Sequence, residues 1–239
     1  MLYSGKNDKT FGKDELLMYL KEFAKQYRKD NPKTPTIEII LVGGAAVILD
    51  YGFRDTTTDI DAMYMSSRSI KAAIKTVADK NNLPVDWLND DFKRTDSYSN
   101  KIRQYSRIFV TYSKCVEIRT VLPEYLIAMK LVSGRDYKKD LSDIVGILKS
   151  CEEFGEAIDF ATIDRAMINL YGSWDKVKAE TREIMNLALK SDNLNELYAL
   201  IEETEQNNRL YKIERETVSL REEHGYIKTA DSDELLKLL

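Results

Sequence analysis

The chain has 239 residues, of which 43% are apolar and 32% are charged, as expected for one large or two modest folded domains. Two cysteines and one histidine, His224, exclude a disulfide framework and a four-ligand zinc site and argue against histidine-based catalysis. The longest largely apolar run, residues 39–49, is far shorter than the roughly 20 residues of a membrane span, and the charged N-terminus does not resemble a signal peptide, so we expect a cytoplasmic protein.

The net charge of −4 is unevenly distributed along the chain. Residues 1–150 hold 25 of the 36 basic and 20 of the 40 acidic side chains, a net of +5. Residues 151–239 hold the other 11 basic and 20 acidic side chains, a net of −9. This asymmetry indicates that the two parts have different roles.

The first part of the chain alternates between helix and strand patterns. Apolar spacing, glycine and proline positions and a serine cap predict five elements in order. They are a helix over 14–29, a strand over 36–42 that stops at two glycines, a short helix from Ala45, a strand over 58–65 and a helix over 66–82.

Two more strands follow, "SRIFVTYS" and "KCVEIRTVL", after a stretch from Pro84 that reads as a loop. From Pro123 onward the pattern is helical almost throughout, ending in one long acidic helix or two. We therefore predict an α/β (α+β) domain over 1–150, with a mixed sheet flanked by helices, and an all-α C-terminal domain over 151–239.

Asp59 and Asp61 are the most specific chemical signal in the sequence. Residues two apart on a strand point to the same face, so both carboxylates can reach one hard cation. Magnesium is typically held by one or two carboxylates together with phosphate oxygens and water. The alternatives are an ordinary strand with acids on its solvent-exposed face, and a glycosyltransferase Asp-x-Asp, which also binds a nucleotide diphosphate through a metal.

Gly43 and Gly44 precede this strand and follow a buried one. Without Cβ atoms they let the backbone approach a phosphate, and a helix starting at Ala45 would direct its amides toward an anion. The alternative is a strand-to-helix turn that requires positive φ. Together, the glycines and aspartates give the order strand, Gly-Gly, short helix, strand with Asp-x-Asp.

This order resembles the nucleotidyltransferase superfamily, the polymerase-β-like minimal domain. With "VGGAAVILDYGFRDTTTDIDA", "DWLND" and "LIAMKLVSGRDYKKDLSDIVGIL", the chain looks like the bacterial nucleotidyltransferases related to AbiEii abortive-infection toxins. The resemblance covers about residues 36–150. It implies a nucleotidyltransferase fold, NTP as substrate, Mg²⁺ or Mn²⁺ as cofactor, and an antitoxin protein as partner.

The resemblance also assigns roles to individual residues. Gly43 and Gly44 would hold the triphosphate, Asp59 and Asp61 the metal, and Lys130 a phosphate or the nucleotide. Asp143, together with Asp140, matches the late acidic motif. Arg54 and Thr57 match the residues that lead into Asp-x-Asp, as phosphate contacts. Ala45 departs from the Gly-Ser found in the wider superfamily, leaving only backbone donors there.

Several of these residues have a second interpretation. Lys130 lies among apolar residues and needs a partner, or else extends along the apolar surface to solvent. Asp140 and Asp143 are helix neighbours that bind a ligand, pair with Lys139 or cap their helix. Arg135 reaches a carboxylate or a phosphate. Glu117 is the candidate third metal ligand, unless Arg119 pairs with it.

Seven basic residues between Lys93 and Arg119 would attract a polyanion such as RNA, or form a solvated sheet edge.

From the resemblance and these residues together, we predict an enzyme that moves an NMP from an NTP to a hydroxyl of RNA, such as a tRNA-like 3′ end, or of a protein, as the toxin of a toxin–antitoxin pair. The alternative is a catalytically weak nucleotide-binding or interaction protein with the same fold.

Overall fold

The computed structural model describes residues 10–33 and 35–223. His224 and the rest of the predicted C-terminal domain beyond it lie outside these residues. The described chain contains five strands and eight α-helices. They are α1 (Lys13–Asp30), β1 (Ile37–Leu41), α2 (Gly43–Asp50), β2 (Ile60–Met63), α3 (Arg68–Asn81), β3 (Leu88–Asn89), β4 (Ser106–Tyr112), β5 (Val116–Val121), α4 (Pro123–Ser133), α5 (Asp140–Glu153), α6 (Phe160–Tyr171), α7 (Ala179–Ala188) and α8 (Leu194–Glu223).

The strands form one mixed sheet in the order β3-β2-β1-β5-β4. β1 is parallel to β5 and antiparallel to β2, β2 is parallel to β3, and β4 is antiparallel to β5. β1 is central, and Ile39, Ile40 and Leu41 are buried in the core. Because α2 begins just after β1, its N-terminus lies at the C-terminal end of this central strand.

Local sequence signals account for most helix boundaries. Asp14 and Glu15 lie in the first turn of α1, where they complement the helix dipole. The Ser67 hydroxyl accepts a hydrogen bond from the Ile70 amide and caps α3, as predicted. Pro123 occupies the first position of α4, where its missing N–H costs nothing.

Helices pack around the sheet and against each other. α1 packs on α3, α4 packs on α5 and α6, and α5 packs on α8. The predicted mixed sheet flanked by helices is confirmed. Within the described range, every regular element after β5 is helical, and α8 is one continuous helix rather than two. α5 spans residue 150, and the predicted division of the chain at that residue stays a prediction.

Two details of the sequence prediction are corrected. The stretch after Pro84 is not only a loop, because Leu88 and Asn89 pair with β2 as an edge strand. α2 begins at Gly43 rather than Ala45, so both glycines lie in its first turn. Over the described residues, no helix combines the length and the apolar character needed to cross a membrane.

Candidate functional site

The end of β1 and the start of α2 lie directly against β2. Leu41 pairs with Ala62, and the Val42 amide donates to the Asp61 carbonyl at 3.0 Å. Gly43 has φ +58°, a conformation that favours glycine, and a Cβ built there would lie 3.7 Å from Asp61 Oδ2. The Asp61 carboxylate therefore lies beside the first turn of α2, whose leading amides have no acceptor within the helix.

Gly44 packs closely against two side chains, and its φ is not positive. A methyl group at this position would lie 2.7 Å from Thr57 Oγ1 and 2.8 Å from Arg54 Cζ. The Thr57 hydroxyl donates to the Asp59 carbonyl at 3.1 Å. Four residues selected from the sequence, Gly44, Arg54, Thr57 and Asp59, therefore lie together at the N-terminus of α2.

The two aspartates differ in exposure. Ile60 and Ala62 are buried, as the alternation predicted, whereas Asp61 on the opposite face is half-buried and Asp59 is exposed. Burial raises the pKa of Asp61 to about 6, and the charge of Asp59 acts in the same direction. The positive charges of Lys138, Arg135 and Lys130 oppose this shift. Asp61 thus lies beside another carboxylate and within the field of three cations.

Lys130 on α4 is buried between two carboxylates of α5. Its Nζ lies 2.9 Å from Asp140 Oδ1 and 2.6 Å from Asp143 Oδ2, and the lysine side chain is only 8% exposed. Burial alone would lower the pKa of Lys130, but the charges of Asp140 and Asp143 outweigh burial and raise it. Lys130 is therefore a paired, buried cation and does not extend to solvent.

Two arginines connect this buried centre to the turns around it. Arg54 Nη1 contacts Asp143 Oδ2 at 2.9 Å, and Arg135 Nε contacts Asp140 Oδ2 at 2.8 Å. Burial by itself opposes ionisation of Asp140, but Lys130 and Arg135 hold the pKa of Asp140 well below its usual range. One ion-pair network thus joins the turn before Asp59, α4 and the first turn of α5.

Glu117 does not join Asp59 and Asp61. Its strand, β5, pairs with β1 so that Glu117 lies beside Glu38, three residues before Leu41, whereas Asp61 lies beside the end of β1. Glu117 Oε2 instead lies 3.8 Å from Arg119 Nη1. Among the residues that the structure describes, no three Asp, Glu, His or Cys side chains are arranged to hold a metal ion.

The residue next to Asp61 on the neighbouring strand is Asn89, which sequence analysis did not select. It pairs with Asp61 in the parallel β2–β3 register, and side chains paired in this way point to the same face. Its Oδ1 accepts the Asp91 amide at 2.9 Å. The "DWLND" block was the available signal, but only the strand pairing places its asparagine beside the aspartate.

Most basic side chains of the stretch from Lys93 to Arg119 already have a contact within the protein. Six of its seven basic residues contact acidic side chains or a backbone carbonyl. The pairs are Lys93–Asp90, Arg94–Asp91, Lys101–Asn169 O, Arg103–Glu38, Arg107–Asp50 and Arg119–Glu38. These contacts agree with the second interpretation, a solvated sheet edge, better than with a polyanion-binding surface.

A mixed sheet flanked by helices, with a glycine turn beside paired aspartates, is consistent with the nucleotidyltransferase class of α/β proteins. A family model described as "Nucleotidyltransferase of unknown function (DUF6036)" matches residues 15–183, and the chain belongs to this family. No curated protein and no solved structure matches the chain with significance. The match supports membership of the nucleotidyltransferase superfamily and, in general terms, a transferase activity. It does not confirm the predicted relation to the AbiEii toxins.

Proposed function

We propose that the protein is a metal-dependent nucleotidyltransferase that moves an NMP from an NTP to a hydroxyl acceptor. The observation that carries the proposal is the position of the Asp61 carboxylate against Gly43, at the N-terminus of α2. A cation ligand and an anion-binding backbone turn are thereby adjacent, as a metal–triphosphate complex requires. Membership of the nucleotidyltransferase family supports NMP transfer at this general level.

The donors at this site fit Mg²⁺ or Mn²⁺ delivered with the nucleotide. Two carboxylates, Asp59 and Asp61, are too few for an all-protein cage, but magnesium is commonly bound by one or two carboxylates plus substrate phosphates. Burial is the main cause of the raised pKa of Asp61 and Asp59 adds to it, so the carboxylate charge is costly there and a divalent cation would neutralise it. When bound, the metal ion would stabilise negative charge on the reacting phosphate.

The proposed reaction needs only the NTP, the acceptor hydroxyl and the metal ion. The acceptor oxygen bonds to the α-phosphorus of the NTP, the bond from that phosphorus to the bridging oxygen breaks, pyrophosphate leaves, and the hydroxyl proton passes to solvent. The amides of Gly43 and Gly44 would bind the leaving phosphates. Arg135 and Lys138, whose charges act on Asp61, would stabilise the developing negative charge.

Incubation with each labelled NTP, Mg²⁺, total RNA and a protein extract tests the proposal. We expect label in one macromolecular fraction, lost when Asp61 is replaced by Asn. The basic stretch does not favour RNA over protein as the acceptor, because six of its residues already have partners. The fraction that carries label therefore identifies the acceptor. Wild-type protein that labels neither fraction with any NTP contradicts the transferase proposal.

Gly44→Ala is expected to weaken Mg·NTP binding about tenfold, because the new methyl group displaces Arg54 and Thr57 from the first turn of α2. Isothermal titration calorimetry measures the affinity. Gly12→Ala is the matched control, since a Cβ there meets only the Asp55 carbonyl at an ordinary 3.8 Å. Equal affinity in Gly44→Ala and wild type argues against a phosphate site at this turn.

A nucleotide-binding protein without transfer is the second candidate. The observation that favours it is that Glu117 pairs with Arg119, so that two carboxylates remain beside the glycine turn. This candidate predicts calorimetric binding of Mg·NTP that depends on Asp61, with no label incorporated into either macromolecular fraction.

The resemblance to AbiEii-related toxins extends the proposal to growth inhibition that a partner antitoxin holds in check. Induced expression in a bacterial host tests it. Growth arrest by wild type but not by an equally expressed Asp61→Asn variant supports a toxic transferase. Normal growth of both cultures argues against the toxin role and leaves the transfer assay to decide the chemistry.

A further inference from the structure

Helix α8 lies beyond the residues 15–183 that the family model matches, yet it contacts two segments that surround the candidate site. Tyr198 packs its ring against Phe53, next to Arg54, with ring centroids 5.7 Å apart. Farther along α8, Asn208 Nδ2 donates to the Asp136 carbonyl at 3.1 Å, and Glu202 pairs with Lys139 at 2.9 Å. α8 thus bridges the segment before Asp59 and the loop between α4 and α5.

Glu205 makes the most buried of these contacts. Its Oε1 accepts the Leu141 amide at 2.8 Å, while its Oε2 accepts the Ser142 amide at 3.3 Å and the Ser142 hydroxyl at 2.5 Å. The side chain of Lys139, the residue at the N-cap position of α5, provides no capping hydrogen bond. A carboxylate from α8 therefore satisfies first-turn amides that the helix itself leaves unbonded.

The first turn of α5 is also where the ion-pair network is anchored. Asp140 and Asp143 flank the two residues bonded by Glu205, and they hold Lys130, Arg135 and Arg54. A shift of this turn would move Arg54 from its position against Gly44 and Arg135 from its position near Asp61. Glu205 is thus connected to the candidate phosphate site through Ser142, the nearby Asp143 of the same helical turn, and Arg54.

We propose that Glu205 is a positioning residue for the nucleotide site and that α8 acts as a clamp: its cap on Leu141 and Ser142 fixes the first turn of α5, and hence the cations that face the triphosphate. This inference rests on the proposed function for its effect on NTP. The fixing of α5 itself does not depend on any ligand.

Glu205→Ala tests the clamp through two measurements at pH 8. We expect the Leu141 and Ser142 amides to exchange with deuterium at least about tenfold faster, as for loss of a helix cap. We also expect the Kd for Mg·NTP to rise about fivefold, because the cations are no longer preorganised. Glu205→Gln, which keeps one acceptor oxygen, should give an intermediate value in both measurements.

Glu203→Ala is the matched control, because Glu203 is an exposed glutamate on the same helix and should change neither quantity. Ser142→Ala removes only the hydroxyl contact and should raise the exchange rate of these amides less than Glu205→Ala does, which keeps the test available if Glu205→Ala does not fold. Unchanged exchange of both amides in a folded variant overturns the clamp, as do freed amides with unchanged NTP affinity. Wild-type protein that binds no Mg·NTP overturns the proposed function instead, and amide exchange then decides the clamp alone.

Discussion

Asp61→Asn is expected to reduce nucleotide transfer by at least about a hundredfold while making the folded protein more stable near neutral pH. The loss follows because Asp61 is the carboxylate beside the glycine turn and Asn offers no negative charge to a divalent cation. Label incorporation under saturating NTP measures the first effect. Thermal and urea unfolding, in the absence of metal, measure the second.

The gain in stability follows from the raised pKa of Asp61. Its folded-state pKa is about 6 against an ordinary 3.8, so the folded state binds the proton more tightly than the unfolded state. The contribution of this carboxyl to the free energy of unfolding is complete below pH 3.8 and is lost as the pH rises through about 6. At pH 7.5, Asn removes the cost of a charged, half-buried group, worth at most about 3 kcal/mol.

The difference in stability between Asp61→Asn and wild type should therefore shrink as the pH falls toward 4, where Asp61 is protonated. Glu117→Gln is the control: Glu117 pairs with Arg119 away from the glycine turn, so transfer should stay within about twofold of wild type. If Glu117→Gln abolished transfer as fully as Asp61→Asn, our assignment of the metal-binding pair would fail.

Lys130→Met is expected to lower the free energy of unfolding by about 3 kcal/mol, the cost of breaking a buried ion pair. The substitution removes one partner from both Asp140 and Asp143, each of which is 1% exposed. Arg135 and Arg54 remain, so part of the carboxylate charge stays paired. Urea denaturation at pH 7.5, fitted with a common slope, measures the change.

Lys71→Met is the matched control for that substitution, because Lys71 is exposed on α3 and its replacement should alter stability by less than about 0.5 kcal/mol. A double variant that combines Lys130→Met with Asp143→Asn should lose less stability than the sum of the two single changes, because each change removes the partner of the other residue. Additive losses in that cycle would contradict a direct Lys130–Asp143 interaction.

The local arrangement at the site is readable from the sequence because it depends on near neighbours. Alternation over residues 59–64 assigns Ile60 and Ala62 to the core and Asp61 to the opposite face, as the structure confirms. The double glycine after a buried strand predicts the turn into α2. Each of these inferences needs only strand or helix periodicity and the conformational range of a few residues.

Strand register and helix packing decide what the sequence left open. Alternation along β5 places Glu117 on the less buried face, as a metal ligand would require. The β1–β5 register, however, pairs Glu117 with Glu38, and the β2–β3 register places Asn89 beside Asp61. Periodicity along one strand does not report such a pairing, because a shift of two residues keeps every side chain on the same face.

The sequence by itself thus determined the order strand, Gly-Gly, helix, Asp-x-Asp and the helical character of the chain from β5 to Glu223. Only the tertiary structure determined that Lys130 lies between Asp140 and Asp143 and that Glu205 caps α5 from a position more than 60 residues away. The physical reason is that a buried charge takes whichever partner the packing of helices brings within hydrogen-bond distance, and that packing depends on the whole core rather than on neighbouring residues.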